Sequence, residues 1–162
     1  MIILDTDCLS LLDRERDLES SQLRISLSQF DPGEIFTTII SFEEQMRGWL
    51  SYIARCRSLD DQVFAYGRLH KFLESYRDTR VLDFTEAAAA MYFELKSKRI
   101  RVGTMDLKIA AISIHNNAIL ISRNLSDFEQ IPDLTVHDLT RRSFASDTSF
   151  RGGIRWPSSD GD

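Results

Sequence analysis

Four places in this chain set acidic or polar side chains just after an apolar, strand-like run or at the start of a helix-like one. Asp5, Thr6 and Asp7 follow Ile2-Ile3-Leu4, and Glu43 and Glu44 follow EIFTTII. Asp106 stands two residues after Thr104, where TMDLKIAAISIHNN begins, and Ser122, Arg123, Asn124 and Asp127 follow AILIS. Open parallel sheets bind their ligands beyond the carboxyl ends of the strands, so all four places can face one end of a sheet. Clustered carboxylates repel one another and are best tolerated around a cation. An all-oxygen ligand set suits Mg2+ or Mn2+ rather than zinc. Such an ion can activate water, polarise a phosphoryl group and stabilise a leaving oxygen.

Most of these residues also have a purely local use. Thr6 or Asp7 can cap the first helix. Ser41 to Glu44 reads as a capping box, with Ser41 as the cap and Glu44 reaching back. Asp106 suits the positive end of a helix dipole. Asp5 is harder to explain locally, because an acid at the very end of a buried strand is costly unless something positive meets it.

The elements that must position these side chains alternate along the chain. Strands are expected at Ile2–Leu4, in EIFTTII, in TRVLDF, in AILIS and in LTVHD. Between them come helical stretches from about Cys8 to Asp13, Leu18 to Gln29, across SFEEQMRGWLSYIARCRS, Leu59 to Tyr76, across the alanine-rich TEAAAAMYFELKSKR, and from Thr104 onward. In the third of these, Phe42, Met46, Trp49 and Ile53 recur at helical spacing. In the Leu59 helix, Val63, Tyr66 or Gly67, Leu69 or His70, and Leu73 lie on one side. The Thr104 helix is apolar over a wide face through Leu107, Ala110, Ala111 and Ile114, and is expected to be well buried. Strands separated by helices, too far apart for hairpins, imply an α/β fold with a mostly parallel sheet covered on both sides. The end of the chain, SFASDTSFRGGIRWPSSDGD, is rich in Gly, Ser and Asp and is expected to be a polar, flexible tail.

With 162 residues, 43% hydrophobic and 28% charged, the chain is expected to form one ordinary globular domain. No run reaches the ~18 apolar residues of a membrane helix, and no signal peptide is visible, so a cytoplasmic protein is expected. Cys8 and Cys56 form no CxxC pair and are expected to be buried free thiols. His70, His115 and His137 have no zinc-site spacing. A net charge of −5 argues against broad, charge-driven nucleic-acid binding, although Lys96, Lys98, Arg99 and Arg101 in KSKRIR form a local basic patch.

The sequence resembles the PIN domain, in particular the VapC-type ribonuclease toxins of toxin–antitoxin pairs. The matching stretches are ILDTDCL, TTIISFEEQMRG, VGTMDLKIAAISIHNNAILISRN and DFEQIPDLTV, which occur in the family's order between residue 2 and about residue 138. Gly103 to Ala110, followed by a strand and SRNLSDFEQIPDL, is the most specific part. The resemblance implies a three-layer α/β/α fold over residues 1–140, with residues 141–162 as the tail. It implies metal-site acids at Asp5, Glu44 and Asp106, with Glu44 chosen over Glu43 because the family's acid stands four residues before a glycine, here Gly48. Asp127 is the expected fourth acid, with Asn124 as an alternative polar contact, since many members carry an acid where Asn124 stands. Thr6 and Ser122 match supporting positions. Gln45 departs from the usual leucine, and the tail is longer than is typical.

On this resemblance the chain is expected to hydrolyse RNA phosphodiesters with Mg2+ or Mn2+, to be held inactive by an antitoxin and to form a homodimer. Arg123 or the Lys96–Arg101 patch would hold flanking phosphates. Two other readings compete. ILDTD is similar to the Asp-x-Asp start of haloacid-dehalogenase-type phosphatases, but no lysine or Asp-Asp pair follows AILIS. A PIN-fold scaffold without catalysis would be expected to have lost Asp5 or Asp106, and both are present.

Overall fold

The computed structural model describes residues 1–14 and 17–141; the expected tail, from residue 142 on, lies outside the described residues. In chain order the elements are β1 (Ile2–Leu4), α1 (Thr6–Leu12), α2 (Leu18–Leu27), β2 (Ile35–Thr38), α3 (Ile39–Arg55) and α4 (Leu59–Arg77). They continue with β3 (Val81–Leu82), α5 (Glu86–Ser97), α6 (Thr104–His115), β4 (Ile119–Ile121), α7 (Leu125–Phe128) and β5 (Val136–His137). The five strands form one sheet in the order β3-β2-β1-β4-β5, and every pairing is parallel. The chain builds outward from β1 through β2 to β3, then returns to the other side of β1 as β4. The order therefore reverses between β1 and β4, and the crevice beyond their carboxyl ends is the natural ligand site of such a sheet.

Strand geometry explains the layers. Alternate side chains point to opposite faces, so Ile3 and Leu120 join a core with α5, α6 and Phe128. Ile2, Leu4 and Ile121 join a second core with Cys8 and Leu11 of α1 and Leu23 and Leu27 of α2. β1 is buried on both faces, which is why its sequence is continuously apolar rather than alternating. The α/β/α architecture expected from the sequence is present.

Several boundaries and faces differ from expectation. α1 starts at Thr6, not Cys8, because Asp5 is its cap and accepts a hydrogen bond from the Thr6 amide. α3 begins at Ile39, so β2 stops at Thr38 instead of running on through Ile40. The cap is Thr38, whose hydroxyl accepts from the Ser41 amide. Ser41 is thus inside the helix and the expected capping box does not form, which leaves Glu44 free to face elsewhere. On α4 the expected apolar face is largely solvated: Val63, Tyr66 and Leu73 are each more than half exposed, while Ala65 and Phe72 are buried. Apolar residues run round this helix, and aromatic stacking selects the buried stripe. Phe72 stacks on Phe42 of α3 at 5.6 Å, and Tyr76 meets both rings edge-on at 4.9 Å. The Tyr76 hydroxyl donates to Gln45 Oε1 at 2.8 Å, which gives the departure at Gln45 a structural use in tying α3 to α4. Cys8 is buried, as expected, whereas Cys56 is only half-buried.

Candidate active site

Asp5 closes β1. Its amide still donates to the Ile121 carbonyl at 3.0 Å, as if the strand continued, so the side chain is held at the β1/β4 crevice. Asp5 is 5% exposed. One oxygen accepts from the Thr6 amide at 2.6 Å and the other from the Ser122 hydroxyl at 2.7 Å. Burial pushes the Asp5 carboxyl up to about 7, and the charges of Asp7 and Asp106 add to that rise. The Ser122 and Thr6 donors oppose it. A buried anion held this way favours a nearby cation.

The other acids arrive from separate elements. Glu44, in the second turn of α3, accepts from the Thr6 hydroxyl at 2.5 Å, which links α1 to α3. Asp106 lies in the first turn of α6. Its carboxyl is raised by burial and then by the charges of Glu44, Asp127 and Asp7, so these four side chains share one electrostatic neighbourhood. Gly103 precedes α6 without a side-chain cap. A Cβ there would come within 3.2 Å of Asp106 Oδ2, so glycine leaves room for the carboxylate at the helix start. Asp127, on α7, accepts from the Asn124 side-chain amide at 2.9 Å, and the Asn124 backbone donates to the Ser122 hydroxyl at 3.1 Å. Asn124 thus orients Asp127 and connects it, through Ser122, to Asp5.

A fifth acid belongs to the group. Asp7 raises both Asp5 and Asp106. One of its oxygens accepts from Arg123 Nε at 3.0 Å, and the other is buried with no hydrogen-bond partner. The signal was present in the sequence, in the pair Asp5-Thr6-Asp7. Once Asp5 is the cap, Asp7 is released from that place and its side chain pairs with Arg123. Arg123 reaches on to Glu19 at 2.8 Å, so its guanidinium is engaged by two carboxylates. The Lys96–Arg101 patch is engaged elsewhere in part: Lys96 lies over the Tyr92 ring and Lys98 pairs with Glu94 at 3.2 Å. Among the described residues, no hydrogen bond or ion pair joins this patch to the acids.

A family model of the PIN domain matches residues 2–134. The chain belongs to the PIN domain family. Three solved structures share the PIN fold with it. VapBC2 from Rickettsia felis, bound to a DNA fragment from its promoter, is 22% identical with a TM-score of 0.64, covering 85% of this chain and 98% of that one. FitAcB from Neisseria gonorrhoeae is 21% identical with a TM-score of 0.67, covering 86% and 98%. VapBC-1 from nontypeable Haemophilus influenzae is 25% identical with a TM-score of 0.63, covering 87% and 100%. No curated protein matches the chain.

In this PIN fold the donors fit a hard divalent cation. Every candidate ligand is a carboxylate oxygen, burial and neighbouring acids raise the Asp5 and Asp106 carboxyls, and a buried oxygen of Asp7 lacks a partner. Among the described residues, no three Asp, Glu, His or Cys side chains are grouped so as to hold a metal ion on their own; an ion here would take one or two carboxylates and keep several waters, as Mg2+ does. Ser122, fully buried, is the hinge of the arrangement. Ser122→Ala leaves one Asp5 oxygen and the Asn124 amide without their partner, and is expected to cost about 1–3 kcal/mol. It also removes an influence that lowers the Asp5 carboxyl, so the loss should be greater at pH 8, where Asp5 is ionised, than at pH 5. Urea denaturation at the two pH values measures this. An equal loss at both would mean that Ser122 does not support the ionised carboxylate.

Proposed function

We propose that this chain is a Mg2+- or Mn2+-dependent endoribonuclease and the toxin of a VapBC-type toxin–antitoxin pair. The observation that carries the proposal is that hydrogen bonds through Thr6, Ser122 and Asn124 tie together Asp5, Glu44 and Asp127, with Asp106 in the same electrostatic neighbourhood, in a PIN fold. These four would hold the ion, with Asp5 at the centre. When bound, the ion supplies an activated water and charge stabilisation for in-line hydrolysis of an RNA phosphodiester. The chain's own residues do the positioning. Ser122 and the Thr6 amide fix Asp5, the Thr6 hydroxyl fixes Glu44, and Asn124 fixes Asp127.

Residues 1–140 would form the nuclease unit and residues 141–162 an appended tail. Solved structures of similar fold include a toxin–antitoxin complex from Klebsiella pneumoniae and a member of the VapBC family of toxin–antitoxin systems from Mycobacterium tuberculosis, which supports a cognate antitoxin as partner. A homodimer in the cytoplasm completes the reading; no helix among the described residues is long and apolar enough to cross a membrane.

The test is incubation of purified, antitoxin-free protein with total cellular RNA. Discrete cleavage products are expected with Mg2+ or Mn2+, and none with EDTA. Absence of cleavage together with absence of metal binding by calorimetry would overturn the nuclease reading in favour of a scaffold.

A further inference from the structure

Beside the acids the surface opens into a pocket of about 610 Å3 that shares Thr6 and Glu44 with them. This is within the ~300–1,000 Å3 range of sites that hold small organic groups. Trp49, Tyr52 and Phe64 supply its aromatic lining. Trp49 and Tyr52 meet edge to plane, with centroids 6.1 Å apart, and the Arg68 guanidinium lies 5.7 Å from the Trp49 ring centre. Tyr52 and Phe64 remain 39% and 62% exposed, so their faces are open to a ligand. Gly48 lines the same pocket, and a Cβ built there meets nothing within 4 Å. A glycine inside a helix is unfavourable, and here no protein atom uses the space it leaves.

Beyond Trp49 and Arg68 lies a second pocket of about 210 Å3, where Arg24, Arg68 and Lys71 stand against the single acid Asp13. This is a local excess of positive charge on a chain of net charge −5. The sequence from acids to aromatic rings to cations matches the repeat of a single-stranded nucleic acid, in which phosphate, base and phosphate succeed one another. Unpaired bases stack on aromatic side chains, and basic grooves track the backbone.

We propose that the Trp49 pocket is a stacking subsite for an unpaired RNA base next to the scissile phosphate, with Arg24, Arg68 and Lys71 holding a neighbouring backbone phosphate. The subsite rests on the nuclease reading for its substrate and adds to it where the strand runs. Trp49 recurs with Phe42, Met46 and Ile53 along α3 as one helix stripe. Phe42 turns inward to the Phe72 and Tyr76 rings, while Trp49 lines the pocket mouth.

The experiment uses Trp156→Phe, which leaves Trp49 as the sole tryptophan, combined with Asp106→Asn to keep the strand intact. A mixed-sequence RNA of about eight nucleotides, within the usual span of a single-strand groove, is titrated in Mg2+ beside an abasic strand of equal length. The base-bearing strand should quench Trp49 and bind about tenfold more tightly than the abasic one. Cleavage competition reads binding where the fluorophore is removed. In an otherwise unchanged active chain, Trp49→Ala should abolish the preference of the base-bearing over the abasic competitor. Gly48→Met, which favours the helix and fills the pocket, should reduce that preference. Lys71→Gln should weaken binding for every sequence and lower the salt slope by about 0.7. Equal binding of both strands, or Trp49 fluorescence unchanged by RNA, overturns the proposal. Fluorescence that changes only when an antitoxin chain is bound assigns the pocket to a protein and also overturns it. Cleavage by the parent chain without quenching rejects the subsite alone, whereas quenching with neither cleavage nor metal binding by the parent chain rejects the nuclease reading and leaves only a surface that stacks an unpaired base.

Discussion

Asp5→Asn is expected to reduce metal-dependent cleavage by at least about a hundredfold and, in metal-free buffer at pH 8, to make the protein more stable. Both effects have one origin. Asp5 is 5% exposed, and burial with the neighbouring charges of Asp7 and Asp106 raises its carboxyl to about 7 in the folded protein, against about 3.9 in an unfolded chain. Between those values the folded state keeps a proton that the unfolded state has lost. Stability therefore falls as pH rises from about 4 to about 7, and the full loss is present above 7. A difference of that size corresponds to about 4 kcal/mol. Asparagine keeps a carbonyl to accept from the Thr6 amide and carries no charge, so it escapes that loss. Metal-free wild type and variant should melt together near pH 4 and diverge toward pH 7, with the variant higher by more than about 5 °C at pH 8. Added Mg2+ should then raise the wild type by mass action and leave the variant nearly unmoved. Calorimetric melting across pH, with and without Mg2+, decides it. A variant that melts lower than wild type at pH 8 would mean that the Asp5 charge is already compensated within the chain.

The same acid shows how far the sequence could be read. An acid directly after a continuously apolar strand is unusual enough for Asp5 to stand out from residue order alone, although its second use as the cap of α1 was not read there. The parallel sheet was legible because each strand is separated from the next by enough residues for a helix. Less was legible where the choice depends on the partner. Ser41 and Thr38 are both competent caps three residues apart, and only the point at which β2 leaves its pairing selects Thr38. On α4 the apolar residues encircle the helix, so periodicity alone cannot choose a face. The rings of Phe42, Phe72 and Tyr76 choose it. Asp7 read as a plausible cap, and it stands beside the other acids because Asp5 takes that place. Arg123 looked like a phosphate ligand by charge, but its proximity to Asp7 and Glu19, which lie 116 and 104 residues away in sequence, could not be read from the chain.

Phe128→Ala is expected to cost about 3–5 kcal/mol, and to do so at an element that carries Asp127, one of the proposed site acids. The Phe128 side chain is fully buried in the core formed with α5 and α6, near Ile131. α7 is a helix of four residues, far too short to persist by its own hydrogen bonds. What holds it is therefore the anchoring of Phe128 beneath it, together with the Asn124–Asp127 and Asn124–Ser122 hydrogen bonds above. Removing the ring leaves a cavity below α7, while Asp5 and Glu44 keep their own ties to Thr6 and Ser122. The urea midpoint should fall with little change in slope. Hydrogen exchange at the Phe128 and Glu129 amides, which bond to Asn124 and Leu125, should accelerate before that of β1 and β4. Because only Asp127 is loosened, activity at low temperature should fall by less than in Asp5→Asn, even though far more stability is lost. A cost below about 1 kcal/mol, or exchange that accelerates evenly across the sheet, would mean that α7 is held by its polar contacts and that Phe128 is not its anchor.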